Sequence, residues 1–150
     1  MSHDDIVRLF SSVSSSATVL AMPFYQFTVP AGDATLEHKP EIAAAMTKVH
    51  AEVTGAPSAY VHCSFVEVPP GSIFVAGEPV DGPRMVGIIR SGRSPEVRAR
   101  LLHELADAWC EITGTAKKDV AVFLQEVPGA NVLEDGVVLP EASDDPGAIV

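Results

Sequence analysis

Cysteine is scarce: Cys63 and Cys110 are the only two in 150 residues. Two thiols cannot build a disulfide framework, and each sits in an apolar segment, so buried free thiols in a reducing, cytoplasmic compartment are expected. Cations are scarce as well. Ten Lys and Arg stand against twenty Asp and Glu, for a net charge of −10. That balance argues against a nucleic-acid backbone as the main partner, while leaving room for a local basic pocket. No apolar run approaches the ~18 residues of a membrane span. A glycine-rich phosphate loop and a Gly-x-Ser-x-Gly elbow are both missing. His103-Glu104 lacks the second histidine, four residues after the first, that a zinc-protease helix needs. His62-Cys63 has no matching ligands, so no metal site is expected.

Apolar residues make up 47% of the chain, enough for a real core, and the length fits one domain. The first 22 residues do not belong with the rest. They are Ser-rich from Ser11 to Ser16, and Asp4 and Asp5 near the start are wrong for a secretory signal. Met22-Pro23 then opens an alternating strand pattern. Residues 1–22 are therefore expected to be an extension, arising from a start-site error or a removable leader. A polypeptide started at Met22 would expose the nitrogen of Pro23. Residues 23–140 form the domain, and residues 141–150 read as a flexible acidic tail.

An internal repeat sets the architecture. Glu52-Val-Thr-Gly-Ala-Pro returns 59 positions later as Glu111-Ile-Thr-Gly-Thr-Ala, and seven of the eighteen aligned positions from Glu52 to Pro69 are identical. Each unit reads as strand, helix, strand. In the first, Phe24 to Val29 is a strand, and a helix begins between Thr35 and Lys39 with Pro40 in its first turn. Ile42, Met46, Val49 and Val53 recur at helical spacing. Gly55 stops the helix, and Tyr60 to Val68 is the second strand. In the second unit Met85 to Ile89 is a strand, Ser94 an N-cap and Pro95 the first helical residue. Leu101, Leu105, Trp109 and Ile112 line one helix face, Gly114 ends it, and Val120 to Gln125 is the fourth strand.

The expected architecture is an α+β fold of α/β-type units. Two β-α-β units build a four-stranded mixed sheet with both helices on one face, since right-handed crossovers place them there. The other face is left bare. Yet Met85–Ile89 and Val120–Leu124 are near-continuous apolar runs, as in strands covered on both sides. Another subunit is expected to cover that face.

Few residues can carry chemistry. Arg90-Ser91-Gly92-Arg93-Ser94 lies between a strand end and a helix N-terminus, where unpaired N–H groups and the dipole favour an anion. Two guanidiniums there could clamp a carboxylate; a solvated polar turn is the competing reading. His50 lies near the end of the first helix, ordinarily a surface or dipole-partner position. Glu134 stands in a loop after the last strand, where a lone carboxylate is usually just solvated.

Taken together, Pro23, the duplicated unit, His50 27 positions after it, Arg90 and Arg93 in Arg-Ser-Gly-Arg-Ser, and Glu134 resemble the tautomerase superfamily. The chain is most similar to the group of cis-3-chloroacrylic acid dehalogenase and its homologues. The resemblance runs from Pro23 to about Pro140. It implies a homotrimer, a small carboxylate substrate, and no metal or organic cofactor. It implies Pro23 as an amino-terminal general acid or base. An α-amino pKa of about 7.7–8.0 would be lowered by the arginines and by burial. It implies that His50, Arg90 and Arg93 hold the substrate carboxylate, and that Glu134 orients or deprotonates a water.

One position departs from the pattern. The family's fourth-strand tyrosine, which partners the glutamate in activating water, is matched by Phe123, which would line the substrate site without a hydroxyl. Loss of such a group commonly costs ~10²-fold, so cis-3-haloacrylate dehalogenation is expected to be weak. Three readings stay open. The first is a proline-dependent tautomerase or hydratase of small unsaturated or enol carboxylic acids. The second is a β-keto acid decarboxylase on the same scaffold. The third, if residues 1–21 are retained, is a non-catalytic trimeric binding module.

Overall fold

The structure is a computed structural model that describes residues 22–150. The expectation of a leader over residues 1–21 lies outside the described residues. No helix among them is long and apolar enough to cross a membrane.

The first unit runs from strand β1 (Phe24–Pro30) through a short 3₁₀ turn (Ala34–His38) into helix α1 (Lys39–Thr54) and strand β2 (His62–Val68). Asp33 opens the turn by accepting from the Thr35 backbone N–H at 2.8 Å. Pro40 lies in the first turn of α1, where its missing N–H costs nothing. Gly55 ends the helix at φ 71°, in the left-handed conformation that glycine adopts freely. The second unit has strand β5 (Arg84–Arg90), helix α2 (Pro95–Thr113) and strand β6 (Ala121–Val127). The Ser94 side chain caps α2 by accepting from Val97 N–H at 3.3 Å.

The sheet order is β2-β1-β5-β6. β1 and β2 are parallel, as are β5 and β6, and the two units meet through antiparallel β1 and β5. Gln26 faces Val86 at the centre of that pairing, the axis of a local two-fold. Starts of β1 and β2 and ends of β5 and β6 therefore share one end of the sheet. One face packs on both helices through Tyr25, Phe27, Val29, Met85 and Ile89, against Ile42, Met46, Val53, Leu101, Leu105 and Trp109. Phe27 stacks on Trp109 at 5.3 Å between ring centroids. The opposite face is bare, as the sequence pattern demanded: Val86 and Phe123 are side by side on it and exposed.

Two hairpins were not anticipated. Strands β3 (Phe74–Val75) and β4 (Glu78–Pro79) form one; β7 (Leu133–Glu134) and β8 (Val137–Val138) form the other. They extend the repeat, because Ala76 and Asp135 both adopt positive φ at the same turn position, 59 residues apart. At the end of the sheet away from Pro23, a cavity of about 640 Å³ is lined by Asp33, Pro83, Arg84 and Asp119, among others.

The tail also differs from expectation. Residues 141–150 are folded back as a strap. Ala142 is fully buried, Gly129 N–H donates to Glu141 Oε1 at 3.1 Å, and Ile149 N–H donates to the Thr54 carbonyl at 2.9 Å. The strap crosses the end of α1 so closely that a Cβ on Gly55 would overlap the Gly147 carbonyl.

Candidate active site

Strand alternation puts Pro23 and Tyr25 on the helix side of β1, and both are buried. Register then gathers the rest. Phe24 pairs with Ile88, so the start of β1 lies beside the end of β5, where Arg90 emerges. His62 N–H donates to the Pro23 carbonyl at 3.0 Å, fixing the start of β2 on the other side.

His50 projects from the last turns of α1 into the same end and is fully buried. Its Nδ1 lies 2.6 Å from the Tyr25 hydroxyl. Burial, with Arg93 and Arg90 nearby, lowers the imidazole pKa to about 3, so the ring is neutral. Burial likewise raises the Tyr25 pKa, so the phenol keeps its proton. A neutral ring holds one N–H, and a phenol donating to Nδ1 leaves that proton on Nε2. Nε2 is buried and has no hydrogen-bond partner among the described residues.

The two arginines differ sharply. Arg90 is 1% exposed; its fork is engaged by the strap, while its Nε has no partner among the described residues. Its Nη1 donates to the Pro140 carbonyl at 2.8 Å and to Asp145 Oδ1 at 3.2 Å, and its Nη2 donates to Asp145 Oδ2. The expectation that Arg90 clamps a substrate carboxylate meets a carboxylate of the chain itself at that guanidinium. Arg93 is 5% exposed, yet among the described residues its only hydrogen bond is a 3.4 Å contact to the Arg90 carbonyl, and its Nε has no partner there. Desolvation and the neighbouring Arg90 lower its pKa, while Asp145 opposes that shift.

Glu134, on β7, is nearly buried and accepts from His62 Nε2 at 3.0 Å. It is therefore bonded directly to the residue that anchors Pro23. Phe123 is not part of this cluster within one subunit. It lies on the bare face of β6, 57% exposed, while its neighbours Val122 and Leu124 turn to the core. Among the described residues no cluster of three or more His, Cys, Asp or Glu could hold a metal ion.

Pro23, His50, Arg90, Arg93 and Glu134 are thus gathered at one end of the sheet. Three participants escaped the sequence reading. Tyr25 carried a signal, since it lies two residues after Pro23 and so on the same face. His62 and Asp145 carried none, because their roles depend on contacts across 72 and 55 residues.

Comparison with known proteins accords with this geometry. No protein of curated function matches the chain. Residues 22–148 match the family described as "Putative oxalocrotonate tautomerase enzyme". Among solved structures, native Ps01740 is similar at 31% identity and a TM-score of 0.70, covering 74% of this chain and 99% of its own. A member of the cis-3-chloroacrylic acid dehalogenase family shares 27% identity at a TM-score of 0.75, covering 79% of this chain and 85% of its own. Pt0534, solved after inactivation by 2-oxo-3-pentynoate, shares 26% identity at a TM-score of 0.69, covering 80% and 96%. The chain belongs to this tautomerase family and, within the superfamily, to the group resembling cis-3-chloroacrylic acid dehalogenase.

Proposed function

We propose that the protein is a cofactor-independent tautomerase or hydratase of small enol or unsaturated carboxylic acids, working through a free Pro23 amine. One observation carries the reading. Arg93 is a buried cation with one long hydrogen bond among the described residues, close enough to His50, whose Nε2 has no partner there, to lower its pKa. A buried guanidinium whose donors are mostly unpaired is costly, so this end of the sheet is suited to an anion, and a carboxylate fits a guanidinium with two parallel bonds.

In a chain that starts at Met22 and loses it, Pro23 is a secondary amine at that anion site. The family match begins at Met22, which supports this start. As a neutral base the amine takes the hydroxyl proton of a 2-hydroxy-2-enoic acid and returns it to C3, giving the 2-keto acid. Arg93 and His50 hold the carboxylate, and the positive charge of Arg93 stabilises the enolate oxygen between the two transfers. For hydration, the ammonium gives its proton to the α-carbon while Glu134 takes one from the water that attacks the β-carbon. The exposed faces of Val86, Phe123 and Leu133 support assembly as a homotrimer.

The test uses 2-oxo-3-pentynoate, which inactivated the similar protein Pt0534. The Pro23 nitrogen should add to the alkyne carbon distal to the ketone, with a proton delivered to its neighbour and no group leaving. The chain beginning at Pro23 should gain the mass of one reagent molecule on Pro23 and lose enol-acid ketonisation. The Cys63 thiol, pushed up to about 11 by burial, is a poor competitor at neutral pH. Label on a cysteine with turnover intact would overturn the reading.

A further inference from the structure

The two arginines are three residues apart and both buried, yet their surroundings are opposite. Arg90 has its fork filled by Asp145 and the Pro140 carbonyl. Asp145 is itself 7% exposed, and the strap around it is held at Ala142, at Glu141 and at Ile149. A pair of this kind contributes only when both members stay, because removal of one leaves an uncompensated buried charge. Both Nε atoms are without a partner among the described residues, but the fork of Arg93, by contrast, makes only one long bond there, to a backbone carbonyl. The orphaned Nε2 of His50 belongs to the same electrostatic neighbourhood, since of the two arginines Arg93 lowers the imidazole pKa more.

We propose that the two arginines divide their work: Arg90 and Asp145 latch the C-terminal strap over the end of the sheet, and Arg93 with His50 alone binds the substrate carboxylate. The inference rests on reading this end of the sheet as a carboxylate site. It makes the strap a wall of that site, and it makes Arg90 a positioning residue whose guanidinium does not meet the substrate. Asp145 cancels the charge of Arg90, so one net cation faces the ligand. A substrate carboxylate that competed for Arg90 would have to unseat Asp145, and with it a strap held at three further points.

The first test follows arginine side-chain resonances in the full chain, labelled with ¹⁵N-arginine, during titration with propionate, an unreactive monocarboxylate. Arg93→Lys and Arg90→Lys variants supply the assignments. The Arg93 Nε–H resonance should shift saturably while that of Arg90 stays in place. A saturable shift at Arg90 overturns the division of labour yet leaves the carboxylate site standing. No shift at either arginine overturns the carboxylate site itself, and the inference with it.

The second test removes the latch as a pair. Arg90→Met combined with Asp145→Leu changes no net charge and replaces the pair with apolar groups of similar bulk. Propionate affinity should stay within about threefold of the parent, whereas Arg93→Met should lower it by about tenfold or more. Loss of affinity in a folded double variant, equal to that of Arg93→Met, overturns the proposal. Should the double variant not fold, the titration of the unmodified chain decides.

Discussion

The Tyr25 hydroxyl and His50 Nδ1 are joined at 2.6 Å in the buried interior, tying the first strand to the last turns of the first helix. With the phenol as donor the bond needs a neutral imidazole, and burial beside two guanidiniums keeps it so, with a pKa of about 3 against the ordinary 6.5. The unfolded chain therefore binds a proton at this ring over a range where the folded chain does not. Stability is complete above pH 6.5 and falls as pH is lowered toward 3, by up to ~1.4 kcal/mol per pH unit from this group. Urea unfolding of the parent and of His50→Gln across that window should show a shallower acid limb in the variant. Equal slopes would mean that other groups govern the acid loss.

Gly87 lies opposite Tyr25 on the neighbouring strand. A Cβ there would stand 2.6 Å from the tyrosine ring and 2.9 Å from Leu124. Gly87→Ala should therefore displace the ring and weaken its bond to His50, at a cost of about 1–3 kcal/mol. Denaturant midpoints measure the cost, and an unshifted midpoint would show that the strands can part without loss.

Pro23→Ala, in a chain starting at Met22, should lower enol-acid ketonisation by about 10²-fold or more. The oligomer, measured by sedimentation, should be unchanged. Unaltered turnover would remove the proline from the mechanism.

Glu134→Gln keeps a hydrogen-bonding side chain opposite His62 but cannot accept a proton from water. Hydration of an acetylenic acid should drop by about 10²-fold, while ketonisation, which uses no water, should change less than about threefold. Equal losses in both reactions would make Glu134 a general part of the pocket.

Phe123→Tyr places a hydroxyl on the exposed face of the sheet, away from His50 and Arg93 of the same subunit. In the proposed trimer that exposed apolar face is the one expected to meet another copy. Hydrolysis of cis-3-haloacrylate should rise on the order of tenfold, and only in the assembled protein. No gain would show that the missing hydroxyl is not what limits that reaction.

Local chemistry was legible in the sequence. Ser94, Pro95, Gly55 and Gly114 mark helix ends through effects spanning a few residues, and the structure has each in that place. The repeat was readable because Glu52 and Glu111 begin matching segments. The strap was not. Asp145 is one acid among several near the end of the chain, and nothing nearby distinguishes it. Its role arises from Arg90, 55 positions earlier, which needs a counter-charge once the strand end is covered. Phe123 illustrates the converse. Its place in the pattern was readable, whereas its distance from the other site residues within one subunit required the sheet's two faces to be told apart.

The local two-fold between Gln26 and Val86 carries Pro23 onto Pro83 and Arg93 onto Asp33, each pair 60 positions apart. The far end of the sheet thus keeps a proline at its threshold, beside a cavity of about 640 Å³. The nitrogen of Pro83 is bonded within the chain as a tertiary amide, which is planar and neither basic nor a donor. Duplication doubled the architecture without doubling the reactive group. A chain can offer one terminal amine at most, so any titration of that amine must saturate at one equivalent per polypeptide, although the fold presents two equivalent places for it.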